Sequence, residues 1–207
     1  MTADDWLALA NDSNIVERIA DDPYCVVYHD LLAHFINLKA ITWSDAIVGL
    51  HIVYGWMPTI PKLKNIVKWD DEKKDQLVAT LEAARSGTVP SNDQFGCVKA
   101  FCNNSAVGAS KLLHFLNPGK LPIWDSRVAK VFLGRQKVTH DQVNKIANWQ
   151  MYQKTLTNWL LDSAVQERCA ELRRAADHLT DVTDLRLIEL VIFHKTVSGR
   201  KRRRKAG

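Results

Sequence analysis

The sequence has no apolar run near the ~20 residues that a membrane-spanning helix needs, so no span is expected in it. It has no Asn-Gly or Asp-Gly pair and no sustained apolar–polar alternation. That removes the usual marks of hairpins and half-buried strands. Its opening, MTADDWLALANDSN, is acidic where a secretory leader is basic and then apolar, so a cytoplasmic chain is expected. Cysteine is scarce: Cys25, Cys97, Cys102 and Cys169 are four in 207 residues. Cys97 and Cys102 stand five apart and the others are remote, which matches no zinc or iron–sulfur spacing. Reduced core thiols, with no metal and no other cofactor, are the expectation.

Helical periodicity dominates what is present. Trp6, Leu7, Leu9, Ala10, Ile15, Val16 and Ile19 open an amphipathic pattern. Residues 24–37 and 43–57 read as largely buried helices, the second stopped by Pro58 and Pro61. Asp70 caps a helix towards Ala84, and Gly87 ends it. Thr139 and Gln142 form a capping box that opens a long helix through Leu160, and two more helices follow near 164–178 and 184–197. The predicted class is all-α, over residues 1–199, with a seam between two helical lobes near 86–92 and a basic tail at 200–207.

Charge is unevenly spread. Six of the 28 basic residues sit in Arg200–Lys205. Residues 1–94 carry 8 Lys/Arg against 14 Asp/Glu, whereas 95–145 carry 8 against 2. A central positive patch and a basic tail suit a polyanion better than a small metabolite, although short basic termini are often only solvated.

The informative segment is 95–133, FGCVKAFCNNSAVGASKLLHFLNPGKLPIWDSRVAKVFL. It reads as a helix over 95–102, a tight connection from Asn103 to Gly108, a second helix over 109–116 and a Pro-Gly turn. An extended step, Leu121 to Trp124, then delivers Asp125 to the start of a third helix. Gly108 is read as the residue that lets the backbone turn. The first amides of the helix after it are free to hold a phosphate at Val107, Gly108 and Ser110. Lys111, Lys120, Arg127 and Lys130 add positive charge. Asp125 reads either as a helix cap alone or as a reacting carboxylate. Tyr54, Trp56 and Trp124 read as core or as pocket walls, and Asn103 and Asn104 as turn residues or as contacts to a base.

Ser105-Ala-Val-Gly-Ala-Ser-Lys111, followed by Pro122-Ile-Trp-Asp-Ser-Arg-Val-Ala-Lys130, resembles the helix-hairpin-helix DNA glycosylase superfamily over about 30 of 207 residues. The superfamily's hairpin reads Pro-Gly-Val-Gly, so Ala106 replaces a glycine, and the stretch from Ser110 to Asp125 is a few residues shorter than in common members. The four-cysteine iron–sulfur loop of several branches is absent. The resemblance implies a two-lobed helical fold with the site between the lobes, double-stranded DNA (modified DNA in particular) as partner, and Asp125 as the catalytic carboxylate. Ser110 falls where bifunctional members carry a Schiff-base lysine, and Lys111 stands one residue later. This implies the monofunctional branch, which leaves an abasic site. The Asn-Pro…Pro-Ile-Trp-Asp-Ser style is similar to phage-associated and bacterial-defence relatives, which implies excision of hypermodified bases such as glucosylated hydroxymethylcytosine. A non-catalytic hairpin module that grips DNA, and an enzyme remodelling modified pyrimidines in place, are the other readings. Neither an obligate protein partner nor a membrane is implied.

Overall fold

The computed structural model describes residues 1–57, 59–64 and 66–195. Pro58 and the 200–207 tail, both assigned roles above, lie outside the described residues. Within them the chain forms helices α1 (Ala3–Ala10), α2 (Ile15–Ala20), α3 (Pro23–Val26), α4 (Tyr28–Ile36), α5 (Trp43–Trp56), α6 (Asp71–Arg85), α7 (Asn92–Phe101), α8 (Ala106–Leu116), α9 (Ser126–Phe132), α10 (His140–Asn144), α11 (Ile146–Trp159), α12 (Ser163–Arg174) and α13 (Asp184–Lys195). Among the described residues there is no strand, and no helix is long and apolar enough to cross a membrane.

Local chemistry explains most of the boundaries. Thr42 caps α5 through a reciprocal box with Asp45, and Ser91 does the same for α7 with Gln94. Asp70 caps α6, and Gly87 follows its end at φ 97°, the left-handed conformation that suits glycine. Two expected helices are broken. The run at 24–37 splits at Val27 into α3 and α4, with Val26 and Val27 exposed. The Thr139 box opens only the short α10, because Lys145 turns extended before α11 begins.

Packing divides the helices into two groups. In the first, α13 lies against α1, α2, α9 and α12, so the early and late parts of the chain share one assembly. In the second, α8 is central and packs on α4, α5, α6, α7 and α10. The stretch at 86–92 joins α6 to α7, which pack on each other and on α8, and Asn117 Nδ2 donates to the carbonyls of Ala84 and Arg85 beside it. The buried apolar side chains form one continuous cluster, with Trp6, Trp124, Trp149 and Tyr152 among its largest members. All four cysteines are free and buried within it.

A carboxylate and a buried lysine in the inter-group cleft

The site is built from the α7–α8 connection outward. Asn103 and Asn104 both adopt left-handed backbone (φ 56° and 57°), so these residues make the tight turn. Asn103 Oδ1 also accepts the Lys62 amide. Gly108 does not turn the chain, as expected above; it lies in the first turn of α8. Its lack of a side chain serves close packing instead, because a Cβ there would meet Cys102 Cβ at 3.0 Å and the Tyr54 ring at 3.4 Å. Tyr54 is a core residue whose hydroxyl donates to the Cys102 carbonyl.

The anion site expected at the start of α8 is largely occupied by the protein itself. The Ala106 amide donates to Asn144 Oδ1 and the Gly108 amide to Ser105 Oγ, which leaves Val107 as the amide of that turn free for an outside acceptor. Ser110 is fully buried and cannot touch DNA. Its hydroxyl accepts the Trp124 amide at 3.0 Å and lies within donating distance of the Val107 and Trp124 carbonyls. Trp124 is also fully buried, with its indole N–H donating to the Val143 carbonyl at 2.8 Å, so it is core and not a stacking surface for a base.

These contacts belong to a clamp on the extended lead-in to Asp125. The Trp149 indole donates to the Pro122 carbonyl, Gln153 to the Lys120 carbonyl and His114 Nδ1 to the Leu121 carbonyl. The Tyr28 hydroxyl donates to the other nitrogen of His114 at 2.8 Å, which fixes a neutral ring. Burial pushes the His114 imidazole down to about 3, and the Arg186 charge adds to the effect.

Asp125 thus arrives at the start of α9 on a fixed backbone. One carboxylate oxygen accepts the amides of Arg127 and Val128, each at 2.8 Å, which is a full helix cap. Its carboxylate also lines a cleft of about 350 Å³, together with Tyr24, Trp56, Val107, Lys111, Arg127 and residues of α13. Capping and exposure to the cleft coexist because the cap engages a single oxygen.

Lys111, the residue after the buried Ser110, is the surprise. It points into this cleft with its ammonium 4.7 Å from the centre of the Trp56 ring. Burial lowers its amine to about 8, against the pull of the Asp125 carboxylate and with help from Arg186 and Arg127. Arg127 stacks on Phe193 at 4.7 Å at the mouth. The other predicted contacts lie elsewhere: Lys120 reaches the Gly87 carbonyl, Lys130 is half-buried further along α9, and Asn103 and Asn104 stay at the hairpin turn.

Sequence reading missed the α13 wall. Arg186 and Glu189 are both buried, paired with each other one helical turn apart, and line the cleft. Arg186 also lies over Tyr28 at 5.1 Å and Trp56 at 5.5 Å. The signal was available: two opposite charges three apart within the otherwise apolar stretch Leu185–Phe193. Asp22 and Tyr24, which also line the cleft, carried no signal of their own.

The arrangement defines an all-helical protein with a carboxylate and a desolvated lysine in one inter-group cleft. The chain belongs to a family of unknown function (DUF6308), whose signature matches residues 72–196. That match includes Lys111, Asp125 and the α13 wall but not Asp22, Tyr24 or Trp56. Neither a curated protein nor a solved structure matches the chain.

Proposed function

We propose that the chain is a DNA glycosylase that hydrolyses the N-glycosidic bond of a base flipped out of the duplex, leaving an abasic site. The observation that carries this reading is the Asp125 carboxylate in the cleft, with one oxygen left over from its capping role. A base must leave the stack before its C1′–N bond can be reached. The bond breaks through a sugar with oxocarbenium character, which a fixed carboxylate stabilises while it orients the attacking water. Aromatic Tyr24, Trp56 and Phe193 offer surfaces for a base, and Lys111 and Arg127 offer charge for its phosphates. A preference for hypermodified cytosine rests on the sequence resemblance alone.

Asp125→Asn keeps a capping oxygen and loses the charge. Base release should fall by about 100-fold or more, in line with the loss of one preorganised electrostatic group. DNA binding should stay within a few-fold of wild type. Incubation with ordinary and hypermodified phage DNA, followed by mass spectrometry of released bases, reads this directly. Near-wild-type release from Asp125→Asn removes the carboxylate from the reaction.

Lys111 favours a second reading, in which its amine attacks C1′, the base departs, and the opened sugar forms an imine with Nζ. An amine near 8 is largely unprotonated by about pH 9. Borohydride reduction should then trap a covalent protein–DNA adduct in wild type and not in Lys111→Met. Base release without any adduct keeps water as the nucleophile.

A further inference from the structure

At the edge of the cleft, three side chains from opposite ends of the sequence converge, and one of them, Asp22, also lines it. Asp22 precedes α3, Cys25 lies within it, and His194 comes from the last described turn of α13. One ligand-type atom from each lies within 4.8 Å of the other two. Cys25 and His194 are 3% and 4% exposed. His194 Nε2 sits 3.1 Å from Asp22 Oδ2 as an ion-pair contact, yet the two atoms are poorly aligned as donor and acceptor, so this buried nitrogen lacks a well-formed hydrogen bond. A buried nitrogen that faces a carboxylate and a thiol with only one poorly aligned contact is a costly arrangement if nothing joins them.

We propose that Asp22, Cys25 and His194 bind a divalent transition-metal ion of the zinc class. The donor set selects the class: a thiolate and an imidazole exclude magnesium and calcium, which prefer oxygen ligands. The distances fit. Bonds of about 2.0–2.3 Å in a tetrahedral site hold neighbouring ligand atoms roughly 3.3–3.8 Å apart. The Asp22–His194 separation is already near that span, and side-chain shifts of about 1 Å bring in the sulfur. Three protein ligands leave a fourth position to water or to an outside ligand.

The electrostatics are compatible. Arg186, whose charge reaches both Asp22 and Cys25, is already paired with Glu189. Without an ion, burial pushes the Cys25 thiol up to about 11, with the Asp22 carboxylate adding to it. A bound cation reverses that balance: the sulfur–metal bond forms as the thiol proton leaves to solvent. The ion would tie the start of α3 to α13 at the edge of the cleft. No spacing in the sequence shows this site, because Cys25 and His194 meet only after α13 docks.

The test is cobalt titration of the full chain after chelator treatment, followed by displacement with zinc. One equivalent of Co²⁺ should bind with a sulfur-to-cobalt charge-transfer band and the intense visible bands of a tetrahedral site. Cys25→Ser should lose the charge-transfer band, and His194→Ala should weaken binding by more than the roughly 10–100-fold that follows loss of an outer-shell partner. A second measurement needs no variant: in the wild-type protein under mild denaturant, Zn²⁺ should slow alkylation of Cys25 selectively among the four cysteines, read by peptide mass spectrometry. Absence of stoichiometric cobalt uptake, a charge-transfer band that survives Cys25→Ser, or zinc protection of a different cysteine overturns the assignment.

Discussion

His114 makes two hydrogen bonds that a single neutral tautomer satisfies, donating to Leu121 and accepting from Tyr28. Its folded value near 3 lies far below the ~6.5 of an unfolded histidine. Between those values the unfolded chain binds one proton that the folded chain refuses. Stability therefore drops as pH falls through about 6.5, and this contribution is flat above it. His114→Gln should be less stable at pH 8, yet its loss on acidification should be shallower by about 1.4 kcal/mol per pH unit between pH 4.5 and 6. Urea unfolding at several pH values checks this, and parallel curves for the two proteins refute it. The apolar neighbours of this histidine in the sequence, Leu112, Leu113, Phe115 and Leu116, accord with a buried helical position. The sequence could not show that the ring holds the chain leading to Asp125, since both partners come from outside α8.

At the scale of elements, α8 and the extended 121–124 segment behave as one unit joined by the Ser110 hydroxyl. Ser110→Ala leaves the buried Trp124 amide without its acceptor. The expected loss is about 1–3 kcal/mol of stability, measured by denaturant unfolding. Base release should also weaken as Asp125 loses its fixed approach, whereas a variant that unfolds at the wild-type denaturant midpoint denies the clamp its role. The same unit shows what was legible. The order helix, turn, helix, extended step, Asp125, helix is readable in 95–133 from Asn-Asn, Pro-Gly and Pro-Ile-Trp-Asp-Ser, and the structure keeps that order. The duties within it shift: Asn103 and Asn104 make the turn assigned to Gly108, and the buried hydroxyl of Ser110 serves the fold. Lys111 faces the cleft in its stead. A rotation of about 100° between neighbouring helix residues decides which of two adjacent side chains faces a cavity, and a motif read by position alone does not register it.

For the molecule as a whole, the pairing of early and late helices is the main constraint. The Trp6 indole donates to the Ile188 carbonyl, and Arg168 binds the Ala10 carbonyl, so α1 is held by both α12 and α13. Trp6 is fully buried. Trp6→Ala should cost about 3–5 kcal/mol. With one continuous core, that loss should lower a single unfolding transition, coincident by circular dichroism and by fluorescence of the remaining indoles. Two separated transitions would mean that the helix groups fold independently. Amphipathic patterns at both ends of the sequence announced helices there. Their mutual docking left no local trace, and this is why the Asp22–Cys25–His194 cluster was invisible to sequence reading.

That docking sets a rule for when the cleft can exist during synthesis. Tyr24 and Phe193 face the same cleft from positions roughly 170 residues apart, a stretch that takes on the order of 10–30 s to translate at about 5–20 residues per second. The Asp125 segment is made well before its opposite wall. A nascent chain carries the carboxylate and the lysine without the enclosure that buries the lysine. The cleft is therefore enclosed only once α13, the last described helix, has been made and has docked.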